Sequence, residues 1–183
     1  MIDQALNHIV DDLNVYLGSR YAIQPLVSLF NIANPDWKNL QPDASSTEQI
    51  FANLINVHED NIYKNQPHAP GTPNESYPMR LDLFLLFAFK SRQYLQAIKL
   101  LSAVLEYYHR KPISQVTLTD LSGNPFDLSL EVVYHNIDLE DSNNMWGNLG
   151  GEQHPFAIYK IQLMELRTLP GTPSVPIQQV NFI

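Results

Sequence analysis

Between Tyr77 and Phe89 the chain reads Tyr-Pro-Met-Arg-Leu-Asp-Leu-Phe-Leu-Leu-Phe-Ala-Phe. Leu81, Leu83, Leu85, Phe87 and Phe89 alternate with Arg80, Asp82, Phe84, Leu86 and Ala88. A period of two is the signature of a strand. After Asp82 nearly every residue on both sides is apolar, which predicts a central strand covered on both faces. The pattern then changes. Tyr94, Ile98, Leu101, Leu105 and Tyr108 recur at three- and four-residue steps, predicting a helix over residues 91–110 with those residues on its buried side.

Other segments follow the same two periods. Ile2, Leu6, Ile9, Leu13 and Tyr16/Leu17 form one face of an N-terminal helix, with Gly18 as its natural stop. Residues 22–32 read as a strand interrupted by Pro25, hence an edge or a connection. Residues 34–47 read as loop. Residues 50–57 are the next strand, with Phe51, Ile55 and Val57 inward. Residues 61–77 carry Pro67, Pro70, Gly71 and Pro73 and form a long irregular loop. Asp120-Leu-Ser-Gly-Asn124 reads as a hairpin turn with Gly123 at the bend. Leu128, Leu130, Val132 and Tyr134 then alternate with Ser129, Glu131, Val133 and His135, a strand with one largely polar face. A short helix around residues 139–146 has Asp138 as N-cap and Glu140 and Asp141 in its first turn. Glycines 147, 150 and 151 lead into a last strand, where Ala157, Tyr159, Ile161 and Leu163 face one way and Lys160 and Gln162 the other.

These elements predict an α+β domain: a mixed, mainly antiparallel sheet of four or five strands with two main helices on one side. It is expected to fill residues 1–167. The remaining residues, 168–183, hold Pro170, Gly171, Pro173 and Pro176, then Val175, Ile177, Val180, Phe182 and Ile183. An extended apolar tail of this kind is expected to dock, on its own domain or on a neighbouring subunit.

Composition narrows the chemistry. Without cysteine the chain has no disulfide, thiol nucleophile or thiolate metal site. Nineteen acidic against eleven basic residues give a net charge of −8, which argues against a nucleic-acid partner. The one basic run, His109-Arg-Lys111, sits at a helix C-terminus, where cations favour the dipole. No apolar run approaches the roughly 20 residues that span a bilayer. The N-terminus lacks the charged and apolar blocks of a signal peptide, so assembly in the cytoplasm is expected.

Catalytic signatures are sparse. His8, His58, His68, His109, His135 and His154 make no ligand spacing, although His58-Glu-Asp60 could hold a cation at a strand end. Gly147-Asn-Leu-Gly-Gly151 precedes a strand instead of opening a helix, so it is a turn and not a phosphate cradle. Asp82 stands out as a carboxylate in an apolar strand. It either serves as an acid or base with His135 or His58, or has a structural role, pairing with Arg80 on the same strand face or meeting backbone amides. Neither a catalytic site nor a cofactor is expected.

Three pieces in order resemble a known family. They are Ile55-Asn-Val-His-Glu-Asp-Asn-Ile62, then Tyr-Pro-x-x-Leu-Asp-Leu-x-x-Leu at residues 77–86 with the helix bearing Leu100-Leu-Ser-Ala-Val-Leu105, then Leu139-Glu-Asp-Ser-Asn-Asn-Met-Trp146 before Pro155-Phe-Ala-Ile-Tyr-Lys-Ile-Gln-Leu163. From residue 2 to 166 the chain is similar to the Pvc16 N-terminal domain family, the tail terminators or caps of phage-tail-like contractile injection systems. The resemblance implies a structural, non-enzymatic role. Subunits would form a closed, six-fold ring on the distal end of a tail, against sheath and inner-tube proteins, within a released or cell-associated particle. It also places Trp146 at the family's Trp position, as a core or interface anchor; Phe182 and Ile183 are the other candidate anchors. The rival readings are a baseplate or neck adaptor, a small enzyme using Asp82, and a monomeric ligand-binding module.

Overall fold

The computed structural model describes residues 1–21, 27–34, 48–59, 80–119, 122–150 and 152–165. Its elements in chain order are α1 (Ile2–Tyr21), β1 (Val27–Leu29), β2 (Glu48–Glu59), β3 (Leu81–Ser91), α2 (Tyr94–Arg110), β4 (Ile113–Thr119), β5 (Pro125–Tyr134), α3 (Leu139–Asn148) and β6 (Phe156–Glu165). One six-stranded sheet runs β1-β2-β3-β6-β5-β4. Only β1 and β2 pair in parallel; every other neighbouring pair is antiparallel.

The doubly apolar strand lies at the centre, as its pattern requires. Leu83, Leu85, Phe87 and Phe89 are fully buried against α1 and α2, and Leu86 and Ala88 are buried on the opposite face. Each of the leucines and phenylalanines among them contributes roughly 1.5–3 kcal/mol of transfer free energy. Its partner in the middle of the sheet is β6, where Ala157, Tyr159, Ile161 and Leu163 face the helices.

Several expectations change. Gly18 does not stop α1, which continues to Tyr21. A helical glycine costs about 1 kcal/mol relative to alanine. Buried Leu17 and an Arg20 guanidinium that donates to Glu106 and to the Tyr16 hydroxyl, both at 2.8 Å, hold the last turn. The helix expected from residue 91 starts at Tyr94, and its buried stripe is Ala97, Leu100, Ala103, Val104, Tyr107 and Tyr108. Tyr94 and Leu95 are 71% and 64% exposed. The two alanines let the helix backbone approach the sheet, and a count of large apolar residues passes over them. In β2, Phe51 is buried but Val57 is 40% exposed; a bulge between Leu54 and Asn56 changes the phase of the strand. Strand β4 is additional, so the sheet has six strands where four or five were expected. Gly123 does sit in the β4–β5 connection, at φ 87°.

Helix α1 crosses the sheet from edge to edge and closes a backbone position on each edge strand. The Gln4 side chain donates to the Thr119 carbonyl at 3.1 Å and accepts from its N–H at 3.0 Å. Asn14 does the same for Val27, at 2.9 and 2.8 Å. Each amide stands where a further strand would pair. The helices are tied together by Asp12, which accepts from the Tyr107 hydroxyl at 2.9 Å and from Lys111 at 2.6 Å. Burial opposes the charged form of Asp12, but Lys111 and Tyr107 outweigh it and hold the carboxyl below its usual range.

Candidate interaction surfaces

The sheet face opposite α1 and α2 divides into an apolar and a polar end. Helix α3 covers the apolar end. Asp138 caps it by accepting from the Asp141 N–H at 2.8 Å, with Glu140 and Asp141 in the first turn. Trp146, 3% exposed, packs with Ile32, Phe51, Leu86, Ala88 and Ile158 and meets the Phe156 ring edge-on at 5.6 Å. In this chain it is therefore buried core, although its indole N–H has no hydrogen-bond partner among the described residues. Phe182 and Ile183 lie outside the described residues, as does the loop over residues 61–77.

At the polar end, strand register aligns His58, Asp82, Gln162 and Glu131 in one row across β2, β3, β6 and β5. Asp82 accepts from Gln162 at 3.1 Å and from Lys160 at 3.4 Å, where the sequence suggested Arg80. Gln162 is the residue directly opposite Asp82, and Lys160, opposite Phe84, is its diagonal neighbour, which a long side chain can reach, so the adjacent strand supplies the counter-ion. His58 lies opposite Asp82, but its Nε2 is bonded to the Asn56 amide at 2.8 Å. His58 and His135 flank the Phe84 ring, each at 5.0 Å. Among the described residues neither imidazole is hydrogen-bonded to Asp82, so the acid–base pairing considered from the sequence is not assembled. His58 and Glu59 point to opposite faces of β2, and no group of three metal-ligating side chains occurs among the described residues.

Two open grooves border these elements. The first, about 330 Å³, is lined by Ile55, His58, Phe84, His135, Ile137 and Met145, together with Asn56, Asp141 and Ile158. The second, about 550 Å³, lies on the helix side where α2 ends against β5, lined by Leu105, Tyr108, Pro112, Val132, Tyr134 and Tyr159 among others. It exists because β4 begins opposite Glu131, which leaves Val133 and Tyr134 of β5 without a β4 neighbour. Those two residues are 40% and 47% exposed. Its floor is aromatic: Tyr159 stands 4.8 Å from Tyr108 and 5.6 Å from Tyr134. The Tyr108 hydroxyl is buried without a hydrogen-bond partner among the described residues. Burial pushes its pKa well above the usual tyrosine value, so it remains a donor.

The basic run at the end of α2 is largely neutralised in place. Arg110 pairs with Glu106 at 2.7 Å and Lys111 with Asp12 at 2.6 Å. No helix among the described residues is long and apolar enough to cross a membrane.

Residues 4–178 match the Pvc16 N-terminal domain family. No curated protein matches the sequence. Among solved structures, the chain is similar to the PVC sheath/tube terminator of an extracellular contractile injection system in its extended state. The identity is 18% and the TM-score 0.47, over 95% of this chain and 62% of that one. It is also similar to the tube-terminating cap of the anti-feeding prophage, at 15% identity and TM-score 0.49, over 100% of this chain and 60% of that one. The chain thus spans about three-fifths of the length of either structure.

Proposed function

Because the chain belongs to the Pvc16 N-terminal domain family, we propose that it is a tail terminator, or cap, of a contractile injection system. The family match over residues 4–178 carries this reading. Copies form a closed ring on the distal end of the tail, where tube and sheath stop growing. A ring of identical subunits needs heterologous contacts whose rotation closes, and six-fold symmetry would match that of related tails. One ring face fits the last layer of tube or sheath, and the other offers nothing for a further layer to bind.

The described surface is suited to such contacts. It offers two grooves on separate sides of the sheet and a β4 edge whose end is closed by Gln4. Asp82 serves the sheet through Lys160 and Gln162 and has no catalytic part in this account. The loop over residues 61–77 and the tail over residues 168–183 are the docking elements we assign to the assembly. Subunits are made in the cytoplasm and become part of a released or cell-associated particle.

Electron microscopy of tail particles from cells lacking this chain tests the proposal. Particles of uncontrolled length, or tubes without stable sheaths, are the expected result. Normal-length particles with capped ends would refute it and favour an adaptor at the neck or baseplate.

A further inference from the structure

The smaller groove is apolar along its walls and charged at one point. Ile55, Ile137 and Met145 line it beside the Phe84 ring, which His58 and His135 flank with their planes turned 62° and 76° from its own. The Val57 N–H bonds to Asn56 Oδ1 at 2.8 Å, which turns the Asn56 NH2 toward His58 Nε2. That nitrogen therefore accepts, and His58 adds no positive charge to the groove. Lys160, opposite Phe84 in register, is turned to Asp82.

Among the described residues, Asp141 is the one carboxylate lining the groove, and no lysine or arginine lines it. The Asp141 N–H is bonded to Asp138, but its exposed carboxylate has no hydrogen bond or ion pair among the described residues. Asp138 and Glu140 stand beside it, and three acidic charges together exceed the positive half-charge of the α3 dipole at that end. The local potential is therefore negative.

An apolar channel with a free carboxylate matches a side chain that has an aliphatic stem and a cationic head. Its volume of about 330 Å³ is at the small end of the range for ligand sites. Arginine suits it better than lysine. The guanidinium is planar and weakly hydrated, lies against ring faces, and forks onto a carboxylate with two parallel bonds. We propose that this groove receives an arginine side chain of a partner protein, with the stem against Ile55, Phe84 and Met145 and the guanidinium on Asp141. The site goes beyond the terminator reading and stands or falls separately from it.

NMR of the full chain labelled at histidine tests the site. N-acetyl-arginine amide, its neutral counterpart N-acetyl-citrulline amide, and N-acetyl-lysine amide are each titrated to tens of millimolar at constant pH and ionic strength. The ring signals of His58 and His135 should move with the arginine derivative and saturate in the millimolar range. Those of His8 and His109, on the helix side of the sheet, should stay in place. Asp141→Asn, an exposed position that leaves the Asp138 cap intact, should weaken the response about threefold or more. An equal response to the citrulline derivative, or none at His58 and His135, would overturn the site. An equal response to the lysine derivative would overturn the choice of guanidinium, and an unchanged response in Asp141→Asn would overturn the carboxylate as its anchor.

Discussion

Asn14→Asp isolates the edge clamp with almost no change of shape. In the parent the amide donates to the Val27 carbonyl at 2.9 Å and accepts from the Val27 N–H at 2.8 Å. An ionised Asp keeps the acceptor but loses the donor, and sets a carboxylate oxygen against the carbonyl oxygen. The lost bond is worth about 1 kcal/mol, and a half-buried carbonyl left without a donor adds about 1 kcal/mol or more. A deficit of about 2–3 kcal/mol at pH 7 follows, which moves a urea midpoint by roughly 1 M or more. Protonation restores the donor, so the folded state raises the pKa of the new carboxyl above its unfolded value of about 3.9. The lost stability is therefore present in full below about pH 3.9 and disappears as pH rises through the raised folded value. Urea denaturation of variant and parent at pH 4 and pH 7 measures this as a difference of differences, which cancels the acid response of Asp12. An equal deficit at both values, or a deficit under about 0.5 kcal/mol at pH 7, would show that Asn14 does not act as a strand partner for Val27.

Three further outcomes follow from the same structure. Trp146→Ala empties the second core layer and should cost about 3–5 kcal/mol in equilibrium denaturation; a cost near zero would place the indole outside the core. Asp82→Asn keeps the bond from Gln162 and loses a partly exposed ion pair, so stability should fall by about 1 kcal/mol or less with assembly intact; loss of particles from a folded variant would assign Asp82 a role in assembly. Burial raises the pKa of Tyr108 and of Tyr159, so the stability they support is complete below about pH 10 and is lost as pH climbs toward their folded values. Tyr108 alone should remove roughly 1.4 kcal/mol per pH unit above about pH 10, and denaturation of Tyr108→Phe at pH 9–11 should show a correspondingly flatter decline.

What was legible in the sequence is what local chemistry decides. The central strand announced itself because both of its faces are apolar, and the α3 cap because Asp138 bonds an amide three residues away. The buried stripe of α2 was misplaced because Ala97 and Ala103 contribute by being small, while large Tyr94 and Leu95 lie in solvent. Strand β4 escaped notice because only Leu118 in it is fully buried, so its alternation carries little hydrophobic contrast. Gln4 and Asn14 look like ordinary polar residues on a helix; their roles depend on edge strands brought to them by the fold. The large groove depends on where β4 starts relative to β5, a difference in strand length that no motif encodes. Asp82 drew attention as an isolated acid, and the register that supplies Lys160 and Gln162 could be known only once β6 was placed beside β3.

The central claim is one of position, and the most direct measurement is to locate the chain on the particle. A tagged copy that supports normal assembly, labelled and imaged by electron microscopy, should mark a ring at one end of each intact tail, the end opposite the baseplate. Label along the shaft, at the baseplate, or absent from particles altogether would contradict the account.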